Sequence, residues 1–235
     1  MKGGNSSKIG TGALRNVFAL GFVSFFTDVS SEMCFSILPT FILGLPGASR
    51  AVLGVIEGLA EALSYGLRAV SGVFSDRFRR RKAIVLVGYA ISNVVKPLFT
   101  VAQTVTDALV IRVGDRIGKA VRTSPRDALL SEYVSEKHMG AAFGLHRTLD
   151  QTGAILGPIL ASALMLFLGF TVRDIFWLSF IPGLIALFIL VTLVKERVGK
   201  AAGKERILTE VGRVVEGRFS FLLLIVAIFS VGAFN

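Results

Sequence analysis

The sequence predicts an all-α membrane protein, a bundle of six transmembrane helices followed by a partial seventh. Three observations support this fold class. Hydrophobic residues make up 53% of the 235 residues, charged residues only 18%, and the mean hydropathy is +0.69, which is more apolar surface than one soluble core can bury. Apolar stretches long enough to cross a bilayer, about 20 residues each, recur along the chain. Lysine and arginine cluster at the ends of these stretches, as in cytoplasmic loops of membrane proteins.

Six stretches have the required length and are called spans 1 to 6: residues 17–45, 51–74, 83–102, 108–130, 141–169 and 175–194. Together, residues 17–194 are predicted to form a six-helix bundle. Residues 1–16 are predicted to be a cytoplasmic tail, and residues 195–218 a basic cytoplasmic linker. The apolar run at 219–235 would be about 25 Å long as a helix, shorter than the roughly 30 Å hydrocarbon core. We therefore expect a truncated seventh helix that ends inside the membrane.

The net charge of +10 is concentrated in three segments: the N-terminal tail, the link between spans 2 and 3, and the stretch after span 6. The links on the opposite side carry only Arg50 and Arg173. This asymmetry predicts a multi-pass protein of the inner (plasma) membrane with a cytoplasmic N-terminus. It also argues against nucleic acid as the partner of the basic residues, which leaves the lipid bilayer.

The cysteine count limits the chemistry that the chain can carry. Cys34 is the one cysteine, so neither a disulfide framework nor a thiolate metal site can form within the chain. No metal site, cofactor or enzymatic activity is expected.

Span 4 is the least apolar span because it carries seven charged residues. At 100° per residue these side chains share a sector of about 140° around the helix axis. The seven residues are Arg112, Asp115, Arg116, Lys119, Arg122, Arg126 and Asp127. Gly114 and Gly118 add a strip of small residues suited to close helix packing. A charge at mid-bilayer costs at least about 2.5–3.5 kcal/mol, so the shared sector predicts a polar interior rather than contact with lipid.

Three other spans also carry polar stripes. Span 1 aligns Asp28 and Glu32, span 2 aligns Glu57 and Glu61, and span 5 aligns His146 and Asp150 with Arg147 beside them. Spans 3 and 6 carry little inside the membrane beyond Lys96. We therefore predict a polar cavity formed by spans 1, 2, 4 and 5. The alternative, in which acids of spans 1 and 2 only form structural ion pairs with bases of span 4, stays open for each residue.

The segment after span 2 reads GVFSDRFRRRK and resembles the cytoplasmic loop motif of the major facilitator superfamily, G-x-x-x-D-R-x-G-R-R. The matching positions are Gly72, Asp76, Arg77, Arg80 and Arg81, with Arg79 in place of the motif glycine. In span 5, the stretch GLHRTLDQTGAILGPILAS resembles the antiporter motif of the same superfamily. Its matching positions are Gly144, Gly153, Gly157 and Pro158.

Span 4 resembles a third motif of that superfamily, R-x-x-Q-G-x-G, with Asp115 in place of Gln and Arg116 in place of Gly. The resemblance assigns the matching residue, Arg112, to proton coupling. It covers almost the whole chain but only the first half of the family fold, because such transporters have about twelve helices in two six-helix repeats with the site between them.

The resemblance implies a secondary transporter of small-molecule solutes that works by alternating access, with proton-coupled export by antiport as the expected activity. Candidate proton carriers are Asp28, Glu32, Glu57, Glu61, Asp150 and His146. Candidate substrate contacts or counter-ions are Arg112, Asp115, Arg116, Lys119 and Arg147. Arg126 joins the loop motif as a candidate part of a cytoplasmic gate. Two alternatives remain open: a facilitator or importer of an anionic solute, and a truncated half that needs a second half-transporter as its partner.

Overall fold

The computed structural model describes residues 11–78 and 80–196; within α3 the side chains of residues 69, 73, 74 and 76–78 are not described. The predicted tail up to residue 10, the linker beyond residue 196 and the seventh helix at 219–235 lie outside the described residues. The described part consists of helices and their connections, without strands, which confirms the predicted fold class.

Each predicted span corresponds to a helical segment. Span 1 is α1 (Thr11–Phe35) with the short α2 (Leu38–Leu43), and span 2 is α3 (Arg50–Phe78). Span 3 is α4 (Arg81–Val95) with a 3-10 turn (Lys96–Thr100), and span 4 is α5 (Val105–Tyr133). Span 5 is α6 (Met139–Leu168) after a 3-10 turn (Glu136–His138), and span 6 is α7 (Val172–Leu178) with α8 (Phe180–Leu193).

Two features differ from the predicted spans. The first helix already includes residues 11–16, upstream of residue 17, where the side-chain amide of Asn16 donates to the carbonyl of Gly12 at 2.7 Å. Spans 1, 3 and 6 are each interrupted. Pro39 and Pro97 stand at the starts of α2 and of the 3-10 turn after α4, because proline lacks an N–H group and fits the first turn of a helix.

Four helical segments of the described part are long and apolar enough to cross a membrane: Thr11–Leu43, Arg81–Thr100, Glu136–Leu168 and Val172–Leu193. The other two, α3 and α5, have 29 residues each, enough for about 43 Å of helix, but carry charges along one side. Large apolar side chains cover the outside of the bundle; Phe167 and Phe188, for example, are 84% and 69% exposed. Such a surface fits contact with lipid.

The helices pack in the order α3, α5, α4, α8, α1, α6. Apolar clusters fill the interior towards both ends of the bundle. One cluster includes Leu20, Tyr89 and Leu130, a second includes Ile42 and Phe99, and a third, smaller cluster includes Met33 and Ile175. Between them lies a layer of buried polar and charged residues, in which the functional candidates fall.

Glycines allow two pairs of helices to approach closely. A Cβ atom added to Gly118 of α5 would lie 2.7 Å from the carbonyl oxygen of Gly88 of α4. A Cβ atom added to Gly157 of α6 would lie 2.8 Å from the carbonyl oxygen of Val29 of α1, and one on Gly153 would overlap the carbonyl of Phe25. The backbones therefore pack against each other directly, as small residues permit in membrane helices.

Capping boxes begin α5 and α7 at the same end of the bundle. Thr104 pairs with Asp107 and Thr171 pairs with Asp174, each acid accepting bonds from the backbone at the helix start. These bonds hold the pKa values of both exposed carboxyl groups below their usual range. Arg173 joins the two loops by donating to the carbonyl oxygen of Thr100 at 3.0 Å.

Candidate functional site

The polar layer opens into a cavity of about 330 Å³, here called the central cavity. Apart from Tyr89 of α4, its lining comes from α1, α3, α5 and α6, which are predicted spans 1, 2, 4 and 5. The charged lining residues are Asp28, Glu32, Glu61, Arg68, Lys119, Arg122, Arg126, Arg147 and Asp150. Charged side chains from helices far apart in sequence thus face one space, as the polar stripes predicted.

Two arginines of α5 are paired with acids of α3. A guanidinium nitrogen of Arg112 lies 2.7 Å from a carboxylate oxygen of Glu57, and Arg116 lies 3.0 Å from Glu61. The guanidinium of Arg112 also lies over the ring of Phe35, 3.9 Å from its centroid. For these four residues the alternative interpretation, ion pairs between acids of span 2 and bases of span 4, describes the observed contacts. The buried Asp115, one turn away, makes no ion pair in the described part of the chain.

A second group of contacts surrounds Asp150 on α6. Arg147 lies 3.1 Å from its carboxylate, and Arg126 of α5 lies 4.0 Å away on the other side. The hydroxyl of Ser24 joins this group, because it lies 2.9 Å from Nε2 of the buried His146 and accepts from Arg126 at 3.3 Å. Arg126, which the sequence assigned to the gate motif, is therefore placed among cavity residues.

The other charged groups of the cavity have no partner of opposite sign within 4.0 Å among the described residues. Two are the acids Asp28 and Glu32 of α1. Three are cations: Arg68 of α3, and Lys119 and Arg122 of α5. Arg122 donates to the hydroxyl of Ser92 at 2.5 Å and lies over the ring of Tyr89, so its position is fixed without an acid.

Lys96 lies outside the central cavity and is completely buried. Its ammonium group donates to the hydroxyl of Ser30 at 2.5 Å and lies 3.4 Å from that of Ser31. Ser30 in turn donates to the carbonyl of Ser179, at the junction of α7 and α8. These contacts connect the interruptions of spans 3 and 6 to the middle of α1.

The motif residues occupy two kinds of position. Gly153 and Gly157 pack α6 against α1, with Pro158 next to them, whereas Gly144 is exposed and has open space around it. In the loop motif, Gly72 faces Ser124 of α5.

The rest of the loop motif is only partly described. Arg81 pairs with Glu132, and Arg80 is exposed at the start of α4. The side chains of Asp76 and Arg77 lie outside the described residues, so the proposed gate stays a prediction.

Three residues that line the cavity were not singled out as candidates from the sequence: Tyr65, Arg68 and Tyr89. Arg68 lies seven residues after Glu61, on the same face of span 2, which was a usable signal; the tyrosines carried none. Within residues 11–78 and 80–196, no group of three His, Cys, Asp or Glu side chains could hold a metal ion.

Apolar helices around an internal charged cavity define a class of protein, the multi-pass membrane transport proteins. Residues 20–235 match the model of the Major Facilitator Superfamily, and the chain belongs to this superfamily.

Known relatives agree with this assignment. The chain is 36% identical over 222 residues to an uncharacterized MFS-type transporter of Methanocaldococcus jannaschii, covering 94% of this chain and 54% of that protein. It is 29% identical over 165 residues to a probable 4-methylmuconolactone transporter of Cupriavidus pinatubonensis, covering 67% of this chain and 37% of that protein. The chain therefore spans about half the length of these relatives or less.

The fold is similar to that of a peptide transporter POT crystallised in complex with sulfate. The TM-score is 0.69 at 15% sequence identity, over 92% of this chain and 45% of that one. At this identity the similarity concerns the fold alone.

Proposed function

We propose that this chain forms a solute-translocating half of a proton-coupled secondary transporter that works by alternating access in the prokaryotic plasma membrane. The observation that carries the proposal is the central cavity, where α1, α3, α5 and α6 bring acids and bases together at membrane depth. Unpaired charges at this depth are costly, so their retention favours a role in moving ions or solutes.

Asp28 and Glu32 are the proposed proton carriers. Both line the cavity, and neither has a cation within 4.0 Å among the described residues. The charged groups that interact with Asp28 include Asp150 of α6, and Arg122 and Lys119 of α5. A carboxyl group between a like charge and cations of another helix changes its proton affinity when the helices shift relative to each other, and this change would couple protonation to conformation.

Two forms of coupling follow from different observations. Export by antiport is indicated by the glycine motif of α6, whose Gly153 and Gly157 pack directly on α1, the helix that carries the acids. Proton-coupled uptake of an anion, the second candidate, is favoured by three cavity cations that lack acidic partners. The N-terminus is proposed to be cytoplasmic in both forms.

Proton flux in proteoliposomes tests the proposal. The chain is reconstituted with a pH-sensitive dye inside the vesicles, and gradients of organic anions and organic cations are imposed in turn. Protons that move against the solute indicate antiport, and protons that move with it indicate cotransport. The double variant Asp28→Asn/Glu32→Gln is expected to abolish the flux, whereas Glu136→Gln, which neutralises an exposed acid outside the cavity, is expected to keep it. Equal flux in the double variant and the wild type would remove both acids from the mechanism.

A further inference from the structure

The cavity cations without acidic partners lie together on one wall. Arg68 is on α3, and Lys119 and Arg122 are one turn apart on α5, the helix that packs against α3. The described residues offer the ammonium of Lys119 no hydrogen bond or ion pair, and the buried Nε atom of Arg68 likewise has no hydrogen-bond partner. This basic wall, defined as Arg68, Lys119 and Arg122, has donors available for a ligand.

Four neighbouring arginines differ from the basic wall because a carboxylate already lies beside each of them. Arg112 and Arg116 pair with Glu57 and Glu61. Arg126 and Arg147 flank Asp150. Anion contacts assigned to Arg112 and Arg116 from sequence are therefore better assigned to the basic wall.

A partly buried cation without a counter-ion is costly, and an anionic group that enters the cavity supplies both the missing charge and acceptors for its N–H groups. Arg122 is held in place by Ser92 and Tyr89, so little side-chain freedom is lost when its planar guanidinium binds a carboxylate. The rings of Tyr65 and Tyr89 add apolar surface beside these cations, and a volume of about 330 Å³ is in the range of small-molecule sites.

We propose that the central cavity binds a small organic anion, with its carboxylate or similar group held by Arg68, Lys119 and Arg122. The inference rests on the proposed function, because it names the solute class of the same cavity. Asp28 and Glu32 line the same cavity from α1, and a proton on each removes their repulsion of the anion. Anion and proton then occupy the cavity together, as the cotransport form requires.

The other titratable groups around this space are Glu61 and Tyr65 of α3, Tyr89 of α4, Arg126 of α5, and Arg147 and Asp150 of α6. Glu61, Arg126, Arg147 and Asp150 already have partners of opposite sign. Asp28 and Glu32 are therefore the acids whose protonation most directly changes the charge that an entering anion meets. We expect affinity for the anion to rise as the pH falls.

Calorimetric titration of the purified chain in lipid nanodiscs tests the proposal. The anionic probes are benzoate, succinate and citrate; benzyl alcohol and benzylammonium are the neutral and cationic counterparts of benzoate. We expect at least one anion to bind, and benzoate to bind more tightly than both of its counterparts. Lys119→Gln and Arg122→Gln should each weaken anion binding by about tenfold or more, as expected when one charge-assisted contact is lost.

Two further variants keep the result interpretable. Lys119→Arg retains the charge, so its affinity for the anion should stay within about threefold of the wild type. This change is small compared with the tenfold weakening expected for Lys119→Gln, which corresponds to about 1.4 kcal/mol. Lys137→Gln removes an exposed charge outside the cavity and should change nothing. The proposal is overturned if none of the three anions binds, if benzylammonium binds more tightly than benzoate, or if Lys119→Gln binds anions as the wild type does.

The anion-binding experiment and the proton-flux experiment can give a negative result independently of each other. Anion binding without proton flux would contradict the proposed function and leave the anion site standing. Proton flux driven by organic cations, without anion binding, would keep the proposed function and contradict the anion site.

Discussion

The ammonium group of Lys96 donates to the hydroxyl of Ser30, 2.5 Å away, at a fully buried position where the described residues place no carboxylate within 4.0 Å. Lysine is seldom buried without an acidic partner. Ser30 passes the interaction on to the carbonyl of Ser179, so one hydrogen-bonded chain joins three spans. These contacts position α1, which carries Asp28 and Glu32.

Substitutions at this pair should act in opposite directions. Lys96→Met shortens the unbranched side chain by only one atom and removes a buried charged group, so thermal stability should stay the same or rise. Ser30→Ala leaves the amine with only Ser31 and should cost about 1–3 kcal/mol. Thermal unfolding in detergent measures both, with Lys137→Met as the exposed control. Greater destabilisation by Lys96→Met than by Ser30→Ala would contradict this account.

The Glu57–Arg112 ion pair makes a second prediction. Arg112 is nearly buried, with 5% of its side chain exposed, whereas Glu57 is 38% exposed. Glu57→Gln should therefore destabilise the bundle by only about 1–2 kcal/mol, since solvent screens the exposed partner. The double variant Glu57→Gln/Arg112→Met should recover part of that loss, because the cation no longer needs a counter-ion. Additive losses in a double-mutant cycle would show that the two residues do not interact.

The glycines of α6 should respond unequally to alanine. Gly153→Ala and Gly157→Ala place a methyl group against the backbone of α1 and should each cost about 1–3 kcal/mol. Gly144→Ala meets open space and should be neutral or stabilising by up to about 1 kcal/mol, because alanine favours the helix. Thermal unfolding of the three variants is the measurement. Equal effects at all three positions would contradict the helix contact described for α6 and α1.

Membrane orientation can be read from single cysteines placed at opposite ends of the bundle. Lys137 and Gln103 are both exposed in connections, and the native Cys34 is fully buried. With a membrane-impermeant maleimide added to intact cells, Gln103→Cys should be labelled and Lys137→Cys only after lysis. The reverse pattern would place the N-terminus outside.

The capping boxes of α5 and α7 are expected to contribute to the free energy of unfolding in a way that depends on pH. Because hydrogen bonds lower the folded-state pKa of Asp107 and Asp174, their contribution is complete above the unfolded pKa of about 3.9 and is lost as the pH falls through the folded values. Asp107→Asn/Asp174→Asn should therefore be less stable than the wild type at pH 7, with the difference shrinking as the pH falls below about 3.9. A difference that persisted at acid pH would require another cause. Thermal unfolding across this range measures it.

Much of the fold was predictable because a membrane helix can be recognised from the length and apolar content of its own stretch of sequence. Each of the six predicted spans coincides with a helical segment of the described residues, and Lys119, Arg122 and Arg126 from the charged sector of span 4 line the cavity. The breaks after Phe35 and at Ser179 were missed, since short interruptions hardly change the hydropathy of a long span. The helical residues upstream of residue 17 were also missed; there the side-chain oxygen of Asn16 accepts from the backbone N–H of Lys195, a contact between residues far apart in sequence.

The sequence by itself determined the class of protein, the approximate positions of the helical segments in residues 17–194 and which four of them carry polar faces. These properties depend on the solvation of each side chain and on helical periodicity, both of which are local. Only the tertiary structure decided which charges are paired. Arg112 and Arg116 meet acids of α3, whereas Lys119 and Arg122 on the same helix do not. Helical periodicity places all four on one side of α5, but pairing depends on the distance and rotation between two packed helices, and neither quantity can be read from one helix alone.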